Sequence, residues 1–63
     1  MKLWIARNEN GSLWLFNRKP FLDEYWVAQG DDAKAYVIDD ELFPEVTFEN
    51  SPQEVELKLV DNE

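Results

Sequence analysis

With 63 residues the chain has room for one small domain, residues 1–63, whose core must be thin: a fold of this size hides only about 60% of the surface its unfolded form exposes. Hydrophobic residues make up 44%, nine of them aromatic (three Trp, two Tyr, four Phe), which is more apolar material than a disordered chain of net charge −8 carries, so the sequence is expected to fold. The absence of Cys excludes disulfides and thiolate metal sites, and the absence of His removes the usual neutral-pH base.

Charge is unevenly placed. Residues 1–22 hold Lys2, Arg7, Arg18 and Lys19 against Glu9, a net of +3, while residues 23–63 hold thirteen carboxylates against Lys34 and Lys58, a net of −11. The acidic part reads as a solvated surface partly neutralised by the basic start. Six basic residues make no phosphate-binding patch, so direct binding of nucleic acid is not expected. The opening Met1–Arg7 lacks the apolar run of a signal peptide, and no stretch approaches the ~20 apolar residues of a membrane span, so the expected location is the cytoplasm, with no membrane partner.

The first element in chain order is a hairpin, Lys2–Asn8 and Ser12–Asn17. Asn8-Glu9-Asn10-Gly11 places Asn at the first position of a type I turn, where its side chain can bond the backbone ahead, and Gly at the fourth. This predicts a three-residue loop with a Gly bulge, and a two-residue Asn10-Gly11 turn is the competitor. The side chains decide between the two registers. The bulged loop gathers Trp4, Ala6, Trp14 and Phe16 on one face and Leu3, Ile5, Leu13 and Leu15 on the other, whereas the shorter turn mixes them. Two apolar faces require cover on both sides, or a partner on one.

Pro20 breaks the pattern, and Phe21–Asp23 reads as a loop. Glu24–Gln29 reads as a third strand stopped by Gly30-Asp31-Asp32, and Lys34–Ile38 as a fourth, although Ala33-Lys34-Ala35 could also begin a helix. Asp39–Pro44 predicts a single helical turn capped by Asp. Glu45–Glu49 and Glu54–Val60 then alternate apolar with polar, the pattern of half-buried strands. Ser51-Pro52-Gln53-Glu54 also fits a helix capping box, which keeps a C-terminal helix open, and Asp61–Glu63 is expected to fray.

The stretch Phe43-Pro44-Glu45-Val46-Thr47-Phe48-Glu49, followed by Glu54-Val55-Glu56-Leu57 and preceded by the Trp-containing hairpin Leu3–Phe16, resembles a group of short bacterial proteins of the kind found in gut-anaerobe genomes and their mobile elements. The resemblance spans most of the chain. It implies no activity, and no functional residue is carried over from it.

Routes to catalysis are few. Ser12 and Ser51 have no His to take a proton and occupy turn sequence, and Lys2, Lys19, Lys34 and Lys58 sit outside the apolar settings that make a Lys a base. Asp31-Asp32 and Asp39-Asp40-Glu41 lack the spacing of a cation-binding loop and read as turn and cap residues. A pair of carboxylates flanking a sugar would need a cleft that so short a chain has little room to build. No catalytic, cofactor-binding or metal-binding residue is therefore expected. Trp4, Trp14, Phe16 and Trp26 form the candidate interaction face, with core packing as the competing role and sugar stacking as a third.

These readings combine into an all-β fold of five to six short antiparallel strands in a curled meander or small barrel, with one helical turn before Pro44; an α+β fold with a C-terminal helix is the alternative. The expected function is a non-enzymatic protein-interaction module, binding a protein partner or forming a homodimer. The alternative is an acidic inhibitor that imitates nucleic acid and occupies a DNA-binding protein.

Overall fold

Antiparallel pairing accounts for every strand of the computed structural model, which describes residues 1–61. The strands are β1 (Lys2–Arg7), β2 (Leu13–Phe16), β3 (Phe21–Asp23), β4 (Tyr25–Val27), β5 (Ala35–Ile38) and β6 (Gln53–Glu56). Four form a sheet in the order β5-β2-β1-β6, and β3 pairs with β4 in a separate ribbon. The all-β reading holds. The sheet is open, with β5 and β6 as free edges, so the barrel form is not realised. There is no helix among the described residues, which removes the α+β alternative.

The hairpin has the predicted register. Trp4 lies opposite Phe16 and Ala6 opposite Trp14, while Ile5 faces Leu15 on the other side. The Gly11 amide donates to the Asn8 carbonyl (2.9 Å), and the Asn8 amide donates to Ser12 (2.9 Å). Gly11 takes φ 95°, a left-handed conformation that costs a Cβ-bearing residue about 1–2 kcal/mol. One detail differs from the sequence reading. Asn10, not Asn8, turns its Oδ1 onto the backbone ahead, accepting from the Ser12 amide (3.0 Å), and the Asn8 side chain is used elsewhere.

Both hairpin faces are covered. On the aliphatic face, Val46 from the 39–51 segment seals Ile5 and Leu13, with Leu15, Ile38 and Val55 packed around them. On the aromatic face, Ala6 and Phe16 are buried and the β3–β4 ribbon lies alongside Trp14, sharing a cleft with it through Trp26. The body is 16 Å thick in its shortest dimension, and loops supply much of the cover: the aliphatic face is closed by Val46 of the 39–51 segment, not by a second sheet.

The remaining expectations are corrected by local chemistry. Phe21–Asp23 is a strand, not a loop, because it pairs with Tyr25–Val27 through a reversal made by Glu24 alone, at φ 70°. The predicted strand 24–29 shrinks accordingly to three residues, and the fourth begins at Ala35 instead of Lys34. The helical turn before Pro44 is a single hydrogen-bonded turn. Leu42 donates to the Asp39 carbonyl (3.1 Å) and Asp39 Oδ1 accepts from the Glu41 amide (2.9 Å), but no helix follows.

Residues 45–49 are not a strand. Their backbone is taken up by nearby side chains: Thr47 and Asn50 exchange bonds (2.8 and 3.2 Å), Asn50 Nδ2 donates to the Glu45 carbonyl, and Ser51 Oγ donates to the Thr47 carbonyl. Side chains of this kind compete with a sheet ladder for the same groups. The last strand ends at Glu56, not Val60. Leu57 still exchanges bonds with Met1, and residues 58–60 then run past the end of β1, leaving Leu59 99% exposed. Of the segment expected to fray, residues 62 and 63 lie outside the described residues.

Glu24 carries a testable cost. Its left-handed conformation is worth about 1–2 kcal/mol of strain, partly offset in a glycine variant by greater freedom of the unfolded chain. Glu24→Gly is expected to raise the unfolding free energy by about 0.5 kcal/mol, measured by urea denaturation at unchanged m-value.

Candidate functional site: aromatic clefts, two edges and two polar anchors

The fold does not present the four candidate residues as one surface. Phe16 is buried at 1% exposure and belongs to the core. Trp4, Trp14 and Trp26 are half-buried, and they are divided between two clefts. Trp14 and Trp26 line one of about 420 Å³ with Tyr25, Asn8, Asn10 and Ser12. Trp4 lies in another, of about 480 Å³, beside Lys2, Arg18 and Lys19.

The first cleft has a polar floor built by the hairpin loop. Asn10 Oδ1 accepts from Ser12 Oγ (2.8 Å), and Ser12 Oγ accepts from the Trp14 indole N–H (3.2 Å), which fixes that ring. The Trp26 indole N–H is buried and has no hydrogen-bond partner among the described residues. Around Trp4, three cations gather in a chain of net charge −8, with Lys2 paired to Glu54 (3.5 Å) across the β1–β6 ladder.

Two polar residues hold these surfaces in place: Arg7, which the sequence shows only as a charge, and Asn8, which it shows only as a turn residue. Arg7 shares the aliphatic face and spends all five of its guanidinium N–H groups on backbone carbonyls. Nε donates to Val46 (2.6 Å), Nη1 to Gly11 (2.8 Å) and Asp40 (3.0 Å), and Nη2 to Leu42 (3.1 Å) and Phe43 (3.2 Å). Its own amide donates to Ser51 Oγ (2.9 Å), so one residue ties the 39–51 segment to the hairpin.

Asn8, 5% exposed, does the same for the ribbon: its Oδ1 accepts from the Trp26 amide at 2.7 Å. Asn8→Ala leaves that amide without its acceptor. The expected loss is about 1–3 kcal/mol of stability, with selectively faster hydrogen exchange at the Trp26 amide and little change across β1–β2.

Asn17 is the third fastening. It accepts from the Lys34 amide through Oδ1 (2.7 Å) and donates through Nδ2 to the Asp32 carbonyl (2.8 Å), which sets the start of β5 beside β2.

The two sheet edges differ sharply. Along β6 the sequence Gln-Glu-Val-Glu places Glu54 and Glu56 on the edge. Along β5 it is Ala-Tyr-Val-Ile, with no charge and no proline, and there Tyr36 and Val37 are 52% and 63% exposed. Charges and prolines are the usual means of keeping an edge from pairing, so β6 is guarded and β5 is not.

No group of three or more acidic, His or Cys side chains converges in a way that could hold a metal among the described residues, and no helix there is long and apolar enough to cross a membrane. Comparison with protein-family models, curated proteins and solved structures finds no match to the chain.

Proposed function

We propose that this chain is a non-catalytic protein-interaction module that works by associating with itself. The observation that supports the reading is the apolar surface left on so small a body: Tyr36 and Val37 on the open edge, Leu42 and Phe43 on the covering segment, and Leu22 and Tyr25 on the ribbon are each more than 40% exposed. Exposed apolar surface is what association buries. The imitation of nucleic acid is less well supported, because it calls for carboxylates along one face. Glu54 and Glu56 share the sheet side of Trp4 and Lys2, whereas the segment bearing Asp39 to Glu49 crosses the opposite side over Ile5 and Leu13.

Sedimentation equilibrium over a concentration series tests the reading. A mass rising from monomer to dimer, with a melting temperature that climbs with concentration by mass action, is the expected result. A strict monomer into the millimolar range removes it.

A further inference from the structure

We infer that the partner at the open edge is a second copy of this chain, and that the two β5 strands pair antiparallel about a two-fold axis through Val37. The inference rests on the self-association reading and adds its place and register.

The backbone narrows the register. The Asn17 amide donates to the Lys34 carbonyl, so by the alternation of an antiparallel ladder Lys34, Tyr36 and Ile38 address β2, while Ala35 and Val37 turn their N–H and C=O groups outward. A two-fold axis perpendicular to the sheet preserves its faces and passes either between two copies of an outward-turned residue or between two copies of Tyr36, which sets Ala35 opposite Val37. Centred on Val37, it lets the two Val37 residues exchange both of their backbone bonds. Tyr36 then lies opposite Ile38 of the second copy, which extends the aliphatic face across the junction.

The charges favour the Val37 register over the Tyr36 one, which would set Lys34 opposite Ile38 of the second copy. Lys34, the only cation between Lys19 and Lys58, falls beside Asp39 and Asp40 of the second copy, and the symmetric contact forms twice. Because β6 is guarded by Glu54 and Glu56, growth stops after one pairing, giving a closed dimer of two four-stranded sheets and not a fibre. A contact this short belongs to the class below about 1,200 Å² in total, so dissociation on dilution through the micromolar range or above is expected.

The test is sedimentation equilibrium of the full chain and three variants, each checked for folding by its tryptophan fluorescence. Val37→Pro removes only an outward N–H and is expected to weaken dimerisation at least tenfold; Val37→Lys, at an exposed position, makes the same comparison should the proline variant fail to fold. Lys34→Glu is expected to weaken it about three- to tenfold, and adding Asp40→Lys to that variant should restore the wild-type constant to within about twofold. A dimer unmoved by the Val37 variants, or a charge swap that does not restore, overturns the β5 pairing and leaves self-association standing. A wild-type chain that stays monomeric overturns both.

Discussion

Replacing Arg7 with methionine is expected to lower the unfolding free energy by about 2–4 kcal/mol, a large share of the roughly 3–9 kcal/mol that a 63-residue domain commands. Methionine keeps much of the packing against the aliphatic face but offers no donors to the carbonyls of Gly11, Asp40, Leu42, Phe43 and Val46. Hydrogen bonds to a charged group contribute about 1.5–3 kcal/mol each when desolvated. Several of these carbonyls regain water when released, so the sum falls well short of five such bonds. Arg7→Lys is expected to recover less than half, since three donors on one ammonium cannot span acceptors spread from the hairpin loop to Val46. Hydrogen exchange locates the damage: the amides of Leu42 and Val46 should lose protection before those of β1 and β2. An Arg7→Met variant as stable as wild type would show that Val46 packing alone holds the segment.

Arg7 also marks the limit of what the sequence discloses. The hairpin was legible because three signals agreed there: the Asn8–Gly11 turn, the alternation of side chains, and the sorting of aromatics from aliphatics in one register only. The edge strand β5 was legible for the same reason, with Tyr36 and Ile38 in period two. Residues 45–49 alternate as well, and Val46 does point into the core at 4% exposure. Alternation reports which side chains are buried, however, and not where the backbone bonds go. Thr47, Asn50 and Ser51 take those bonds locally, and Arg7 takes the Val46 carbonyl from about forty residues away, which no local pattern records.

The short ribbon was illegible for the opposite reason. Three-residue strands give too few positions for a period to show, and Pro20 just before β3 looks like a breaker although it is itself buried. Of the candidate surface, the sequence identified the aromatic residues but not their division between two clefts. That division depends on the Asn8 side chain pulling Trp26 over the hairpin, a contact between residues eighteen apart. The unguarded edge was open to reading in the contrast between Ala-Tyr-Val-Ile and Gln-Glu-Val-Glu, but only once the strand order had made these two the edges.

Phe16→Ala is expected to be the most damaging single change, costing about 3–5 kcal/mol and leaving the chain unfolded or on the margin at 25 °C. Phe16 is 1% exposed and lies between Trp4 of β1 and Ala35 of β5. The strands around a deleted buried ring relax only partly, so much of the cavity cost persists. Trp4→Ala removes a larger side chain but a half-buried one, and the loss should be smaller, about 1–3 kcal/mol. The order of these two effects separates core from surface among residues that the sequence places on one face. Urea denaturation of both variants, followed through the tryptophans that remain, gives that order directly. If Trp4→Ala proved the more damaging, the basic cleft beside Lys2, Arg18 and Lys19 would have to be part of the core and not a surface.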